Sequence, residues 1–504
     1  MSEATVADRR VHPGTILLRF VREAPSVVFG LPAALAIFSK RGIGVALLVA
    51  AVIGGIMIVM QWLRWRSFRY GVGEREIVIE SGILSRNRRS IPFDRVQDVD
   101  IERALLARVF GLAKVKIETG AGGKDEGVLD SVTVAEADRL RAAVRAWHGH
   151  SHRVAAVERD GGAEAPVAEL IPEGRLLFAM DVKRILVFGL FSFSLVYIAG
   201  LFALLQTFDQ MLPFNIYDPA RWVGLVEHQL PGRFTVAAIA FVLFLAVLLG
   251  VVAGLVRTVA RDYGYRLVSE GSRLRRERGL FTRTEAVISK QRIQLALVGT
   301  GPIRGYFGWT GLALQTLGAA SDKSGVQAAA PFATRDEIEP IMADAGPFRL
   351  PNPPELTMVS NRHILRVIAK SVGPALVAIV VASVFFAPAL LLLLALPLLG
   401  ANAAVQRRFH RYALDNDLLF IARGVWRQRL WIVPVMHAQA ISVRRSWLQR
   451  RLGLSTLSVD TAGAPLSGGA RIYDLRHDIA EALAREIGAG RRLYSSGRKS
   501  GTER

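Results

Sequence analysis

The sequence predicts a membrane protein in which α-helical hairpins alternate with three β-rich modules, each a bent β-sandwich or barrel closed by a C-terminal helix. Three observations predict it: long uncharged stretches, an internal repeat that aligns without gaps, and a two-residue alternation of apolar positions inside that repeat. The 504 residues are 51% hydrophobic and only 21% charged, with a mean hydropathy of +0.31. Lys and Arg outnumber Asp and Glu 64 to 43, a net charge of +21, but so apolar a chain does not read as a nucleic-acid binder. It contains no cysteine, which excludes disulfides, thiolate metal sites and cysteine nucleophiles.

Crossing a bilayer takes about 20 apolar residues. Gly42 to Trp62, Ile185 to Leu205 and Phe234 to Val256 meet that length without a charge. Ala24 to Ser39 is uncharged over 16 residues and makes a shorter span. Ser371 to Gln406 runs 36 residues with Pro388 near its middle, which suits two short helices and a turn. Six crossings in three hairpins follow. Arginines and lysines flank every hairpin, among them Arg64, Arg66, Lys183, Arg184, Arg257, Arg366 and Arg407, so both termini are expected in the cytoplasm. Gln206 to Arg233, with Asp209, Asp218 and Glu227, reads as an outside loop, and no cleavable signal precedes the first apolar run.

The three polar stretches that follow the hairpins share one register when Gly82, Gly279 and Gly424 are aligned. Ile91, Ile288 and Val433 then coincide, as do Gln97, Gln294 and Gln439, Gly111, Gly308 and Gly453, and Thr119, Thr316 and Thr461. Ile77 and Ile79, then Val115 and Ile117, alternate with other residues as half-buried strands do. A capping box at Thr133 and Glu136 announces a closing helix with Leu140, Val144 and Trp147 on its apolar face. Thr334 and Glu337 repeat the device, and in the third copy Asp474 is the expected N-cap before Ile479, Leu483 and Ile487.

These residues carry a family resemblance. Tyr70 through Gly82, Ile91-Pro92, Arg95-Val96-Gln97, Phe110-Gly111-Leu112 and Thr119-Gly120-Ala121-Gly122 resemble the bacterial pleckstrin-homology (PH) domain of the second type, a former domain of unknown function. The third copy echoes it at Tyr412, Val433-Pro434, Leu452-Gly453-Leu454 and Thr461-Ala462-Gly463; the middle copy departs from it at Ser289 and Leu317. Three such modules, each behind a hairpin, resemble the YdbT-like membrane proteins. The resemblance implies PH-like modules and a membrane location, and little chemistry. The expected division is a cytoplasmic segment 1–23, hairpin 24–62, module 66–147, linker 148–183, hairpin with outside loop 184–256, module 260–345, linker 346–370, hairpin 371–406, module 409–487 and a basic tail 488–504, disordered from Arg491 to Arg504.

Enzymatic signatures are missing. Gly120 to Lys124 is not a P-loop, because Glu118 stands where its first glycine belongs and Asp125 where Ser or Thr belongs. His148, His150 and His152 could hold a metal, but a solvated linker is the simpler account, and no cofactor is expected. The long apolar stretches contain no ionisable residue of the kind that marks an ion path. Gly250 and Gly254 form a common G-x-x-x-G helix-packing pattern. Arg273, Arg275, Arg276 and Arg278 form the basic run expected to face anionic lipid head groups or a protein. Arg95 with Gln97, Arg292 with Gln294 and His437 with Gln439 recur together and read either as a recognition surface or as amides that satisfy backbone groups at a strand end. The expectation is a non-enzymatic platform for lipids or proteins, with an accessory subunit of an envelope-protection or transport system as the alternative; its partners are the membrane and an unidentified protein, not nucleic acid.

Overall fold

The computed structural model describes residues 7–19, 43–83, 85–119, 127–157, 174–192, 232–317, 325–352, 355–462 and 469–500. The Ala24 to Ser39 span, the outside loop and the Gly120 to Lys124 turn lie outside them.

Module 1 follows helix α1 (Ile43–Ser67) and consists of β1 (Arg69–Val72), β2 (Glu76–Ser81), β3 (Asn87–Pro92), β4 (Val96–Ala104), a short α2 (Leu105–Val109), β5 (Leu112–Thr119), β6 (Gly127–Thr133) and α3 (Val134–Val157). The order β1-β2-β3 makes one antiparallel half-sheet and β4-β5-β6 the other. Their inward faces meet in one core of Ile77, Ile79, Ile91, Val99, Val115 and Leu129, closed by Ala137, Leu140 and Val144 of α3. Alternation thus does what period two requires, and the helix covers the open end. The helix runs on to Val157, so His148, His150 and His152 lie along a helical backbone.

Module 2 is built on the same plan. It uses β7 (Arg175–Ala179), α4 (Val182–Leu190), α5 (Gly232–Asp262), β8 (Arg266–Glu270), β9 (Arg273–Arg278), β10 (Thr282–Ser289), β11 (Ile293–Thr300), α6 (Pro302–Tyr306), β12 (Thr310–Thr316), β13 (Val326–Ala333) and α7 (Arg335–Ala345). The capping box of Thr334 and Glu337 is formed in full. Ile185, expected in a membrane span, is instead buried with Phe188 in the core of this module. An uncharged run does not distinguish a protein core from a bilayer.

Module 3 comprises β14 (Thr357–Met358), α8 (Arg362–Phe385), α9 (Leu396–Phe409), β15 (Arg411–Asp415), β16 (Leu418–Arg423), β17 (Gln428–Pro434), β18 (Ala438–Arg444), α10 (Trp447–Arg451), β19 (Leu454–Thr461), β20 (Ala470–Arg476) and α11 (His477–Ser500). A 3-10 stretch, Ala387–Ala395, joins α8 to α9 and holds Pro388, as expected of this hairpin. Helices long and apolar enough to cross a membrane occur at Phe244–Asp262, Arg362–Phe385 and Ala387–Phe409 among the described residues. Two expectations fail at the end of the module. Asp474 is no N-cap: it sits inside β20 at φ 61° with its carboxylate buried, and α11 starts three residues later. Nor is the tail disordered as far as Ser500, where α11 ends; extending a helix already nucleated against the core costs far less than starting one. On α11 the buried residues are Ala480, Leu483 and Ile487, with Ile479 turned outward.

The aligned glycines have a shared cause. Gly82, Gly279 and Gly424 take φ of 116°, 114° and 103° in the turn between the second and third strands of their half-sheets, where a Cβ would stand 1.8, 1.9 and 2.1 Å from the carbonyl oxygen three residues on. No L side chain fits there.

The modules are not beads on a string. β4 of module 1 pairs with β10 of module 2, and β11 of module 2 pairs with β17 of module 3, giving two seven-stranded sheets in the orders β6-β5-β4-β10-β9-β8-β7 and β13-β12-β11-β17-β16-β15-β14. The two joints have the same register. Glu285 and Leu430 each lie six residues past the glycine of their own module, and they pair with Ile101 and Val298, each 19 past the glycine of the module before. The joints differ in chemistry. The first is polar, with Arg141 on Glu285 at 2.8 Å and Arg108 donating to the Leu280 carbonyl at 3.2 Å. The second is apolar: Leu295 of module 2 packs in the core of module 3, while Leu418, Phe420 and Ile432 of module 3 pack in the core of module 2.

Candidate functional site

The arginine run expected to face lipid is committed inside module 2. It forms β9, a strand with β8 on one side and β10 on the other. Arg276 is fully buried and donates to the Ala328 carbonyl at 3.0 Å. Arg275 reaches Glu270 at 3.0 Å, Glu277 at 2.6 Å and Glu285 at 3.3 Å. Arg278 meets the buried carboxylate of Asp262 at 3.3 Å. Arg273 is half-buried at the start of the strand. The pattern of charges reads as a surface because strand pairing, which adds Glu270 of β8 and Glu285 of β10 to the Glu277 of the strand itself, is invisible along the chain.

The recurring amides and their neighbours divide likewise. Gln294 is buried and donates to the Arg292 carbonyl at 3.3 Å, Arg292 donates to the Leu317 carbonyl, and His437 places Nδ1 3.1 Å from the Gln294 carbonyl oxygen across the second joint. In module 2 the amide therefore satisfies backbone at a strand end. Arg95 and Gln439 are exposed in modules 1 and 3, and the side chain of Gln97 lies outside the described residues.

A buried polar cluster at the base of the third hairpin was not anticipated. Asp474, at the strained point of β20, accepts from three sides: His363 Nδ1 lies at 2.6 Å, Arg366 Nε at 2.7 Å and Gln449 Nε2 at 2.8 Å. His363 and Arg366 come from the first turns of α8, and Gln449 from α10, itself set by a capping box with Ser446. Burial alone would raise the Asp474 carboxyl, but the hydrogen bonds from His363 and Gln449 and the Arg366 charge outweigh it and hold the group below the usual carboxylate range. His410, just beyond α9, faces His363 edge-on with ring centroids 5.7 Å apart. Burial, with His363 and Arg423 nearby, pushes His410 down to about 3, so it is uncharged at neutral pH. Around these groups lies a cavity of about 420 Å³, lined also by Lys370, Arg423 and Trp426. Its net charge is positive. Among the described residues no group of three or more His, Cys, Asp or Glu could hold a metal.

The signal for this cluster was present in part. His363 and His410 flank the apolar third hairpin, but Asp474 lies 64 residues beyond His410 and meets them only through the fold. Fourteen residues before the aligned glycines, the modules carry Phe68, Tyr265 and His410. Tyr265 is fully buried and donates toward the carbonyls of Ala328 and Ala329, both at 2.8 Å. Replacing it by phenylalanine should cost module 2 about 1–3 kcal/mol, read as a lower thermal midpoint, because two carbonyls lose a buried donor. An unchanged midpoint would show that water replaces the hydroxyl.

Paired half-sheets, closing helices and attached apolar helices define a membrane-embedded array of PH-type modules. A family model described as "Bacterial PH domain" matches residues 26–146, 219–343 and 368–491, and the chain belongs to that family. It is 23% identical over 411 residues to the UPF0699 transmembrane protein YdbT of Bacillus subtilis (strain 168), which covers 79% of this chain and 80% of that one. It is also 39% identical over 82 residues to the UPF0699 transmembrane protein YdbS of the same organism, across 16% of this chain and half of that one. No solved structure matches. These are transmembrane proteins with PH domains rather than a known enzyme family.

Proposed function

We propose that the chain is a non-enzymatic scaffold, a stiff bar of three PH-type modules lying along the cytoplasmic face of the inner membrane and presenting binding surfaces for lipids, proteins or both. The observation that carries this reading is the continuity of the sheets through both joints. Main-chain pairing holds the modules at fixed spacing, which is what a platform needs and what a tethered set of independent domains lacks. Basic hairpin flanks favour cytoplasmic modules and termini. Trp62, with Arg66 over its ring at 5.6 Å, suits the level of the head groups. Mass spectrometry of material co-purifying with the full-length chain from gently solubilised membranes should find anionic lipid or one protein at near-equal amount. Recovery of neither would end the scaffold reading, and reporter fusions that place any module outside the cell would end the orientation.

The accessory-subunit reading is favoured by one feature. β18 is the module 3 counterpart of β4 and β11, the strands that receive the next module, and among the described residues its outer edge has no strand partner. Its central residues, Ala440, Ile441, Ser442 and Val443, are uncharged, and of the charges that usually guard a free edge it has only Arg444 at its end. A PH-type module of another chain fits that edge. A photo-crosslinker at Ser442 should then capture one membrane protein, whereas a crosslinker at Arg88, on the basic outer strand of module 1, should not capture the same one.

A further inference from the structure

The cavity at the base of the third hairpin has a counterpart in module 1 and an internal substitute in module 2. In modules 1 and 3 it opens between the base of a membrane helix and the glycine turn: Leu63, Arg66 and Gly82 line the first, of about 560 Å³, and Asn402, Gln406 and Gly424 the second. Both are cationic. Module 1 offers Arg10, Arg66, Arg69, Arg86 and Arg88 against Glu80, and module 3 offers Arg366, Lys370 and Arg423 against an Asp474 already engaged by three donors. The residue before the glycine is Arg423 in module 3 and Arg278 in module 2. Arg278 has the buried Asp262 carboxylate at 3.3 Å; Arg423 makes no ion pair among the described residues, although it stacks on Trp431 and Tyr473.

Three buried polar atoms at the module 3 cavity have no hydrogen-bond partner: His363 Nε2, His410 Nε2 and Arg423 Nη1. The two histidines are 5% and 3% exposed. Buried nitrogens are seldom left so. Arg423 Nη1 can only donate and calls for an acceptor oxygen, whereas each imidazole Nε2 donates only in the form that carries its proton. Two arginines and a lysine oppose a metal cation and favour an oxyanion. The cavity sits where α8 and α9 meet the module, and Trp426, 78% exposed, stands at its mouth. That is the level of lipid phosphates beside a hairpin.

We infer that the notch of module 3 is a binding site for a phosphate ester, held by Arg423, Arg366 and Lys370 with His363 and His410 around it, and that Asp262 supplies module 2 with a built-in carboxylate in place of such a ligand. The guest is either the head group of an anionic membrane lipid or a soluble phosphate monoester. This deepens the scaffold reading by naming one lipid-class surface, and rests on it only for the side of the membrane.

The test uses the full-length chain, delipidated in a neutral detergent and titrated with short-chain phosphatidylglycerol or with glycerol 3-phosphate, with bound ligand counted by native mass spectrometry. Saturable binding of either probe is expected, with Arg423→Gln and Lys370→Gln each weakening it by about tenfold or more, since each removes a charge-assisted contact. Arg427→Gln, exposed on the same turn but outside the cavity lining, should change it less than about twofold. Preference for the lipid probe identifies a head-group site, and preference for glycerol 3-phosphate a soluble ester. If Arg423→Gln fails to fold, Lys370→Gln carries the test, because Lys370 is exposed. Equal binding by wild type and Lys370→Gln, or no saturable binding of either probe, overturns the site. Partner recovery from native membranes is read separately: a notch that fails while a stoichiometric protein partner remains leaves the scaffold intact.

Discussion

Replacing Leu295 by alanine should loosen module 3, although the residue belongs to module 2. Leu295 is 2% exposed and lies in one cluster with Leu457, Val459 and Leu483. Removing its buried methyl groups costs the transfer free energy and leaves a cavity, about 2–5 kcal/mol together. Hydrogen exchange should therefore quicken in β19 and α11, whose amides are protected by that core. Independent modules would respond in β12 and β13 alone, and that outcome would refute the shared core. The same reasoning makes the second joint stronger than the first, where Arg141 and Glu285 supply an ion pair in place of interleaved leucines.

The second large effect is expected at Asp474. Asparagine retains the side-chain shape and tolerates the φ of 61°, but removes a charge whose carboxylate is fully buried between His363, Arg366 and Gln449. Breaking a buried pair from one side leaves the other charge uncompensated, here Arg366, at about 3–5 kcal/mol. The pH dependence has a definite sign. The folded carboxyl is held below its unfolded value of about 3.9, so its contribution is complete above about pH 4 and declines as pH falls through the folded value. Exchange protection of β20 in the wild type should fall in that acid window and stay flat in Asp474→Asn. Parallel curves would mean that the carboxylate contributes nothing to stability.

Both predictions turn on contacts between residues far apart in the chain, and they mark where reading the chain stops. The repeat was legible because its cause is local: a turn at φ above 100° admits only glycine at Gly82, Gly279 and Gly424, and strand alternation exposes its own period at Ile77 and Ile79. The third hairpin was legible because Pro388 interrupts an uncharged run. The arginines of β9 misled, since their acidic partners lie five residues back at Glu270 or across the ladder at Glu285. Asp474 misled for a related reason. Its place before a helical pattern resembled a cap, while its true partners are 111, 108 and 25 residues away.

By itself, then, the sequence determined the elements: hairpins, strands, closing helices, the turn glycines and the threefold repeat, all set by neighbours within a few residues. Only the tertiary structure decided that two half-sheets of different modules become one sheet, that Ile185 belongs to a core rather than a bilayer, and that module 3 gathers His363, Arg366, His410 and Arg423 around a cavity with Asp474 buried behind them. Edge pairing between modules uses backbone groups that every strand possesses, so no side-chain pattern announces it. A buried charge is likewise defined by what surrounds it, and those surroundings come from parts of the chain that only folding brings together.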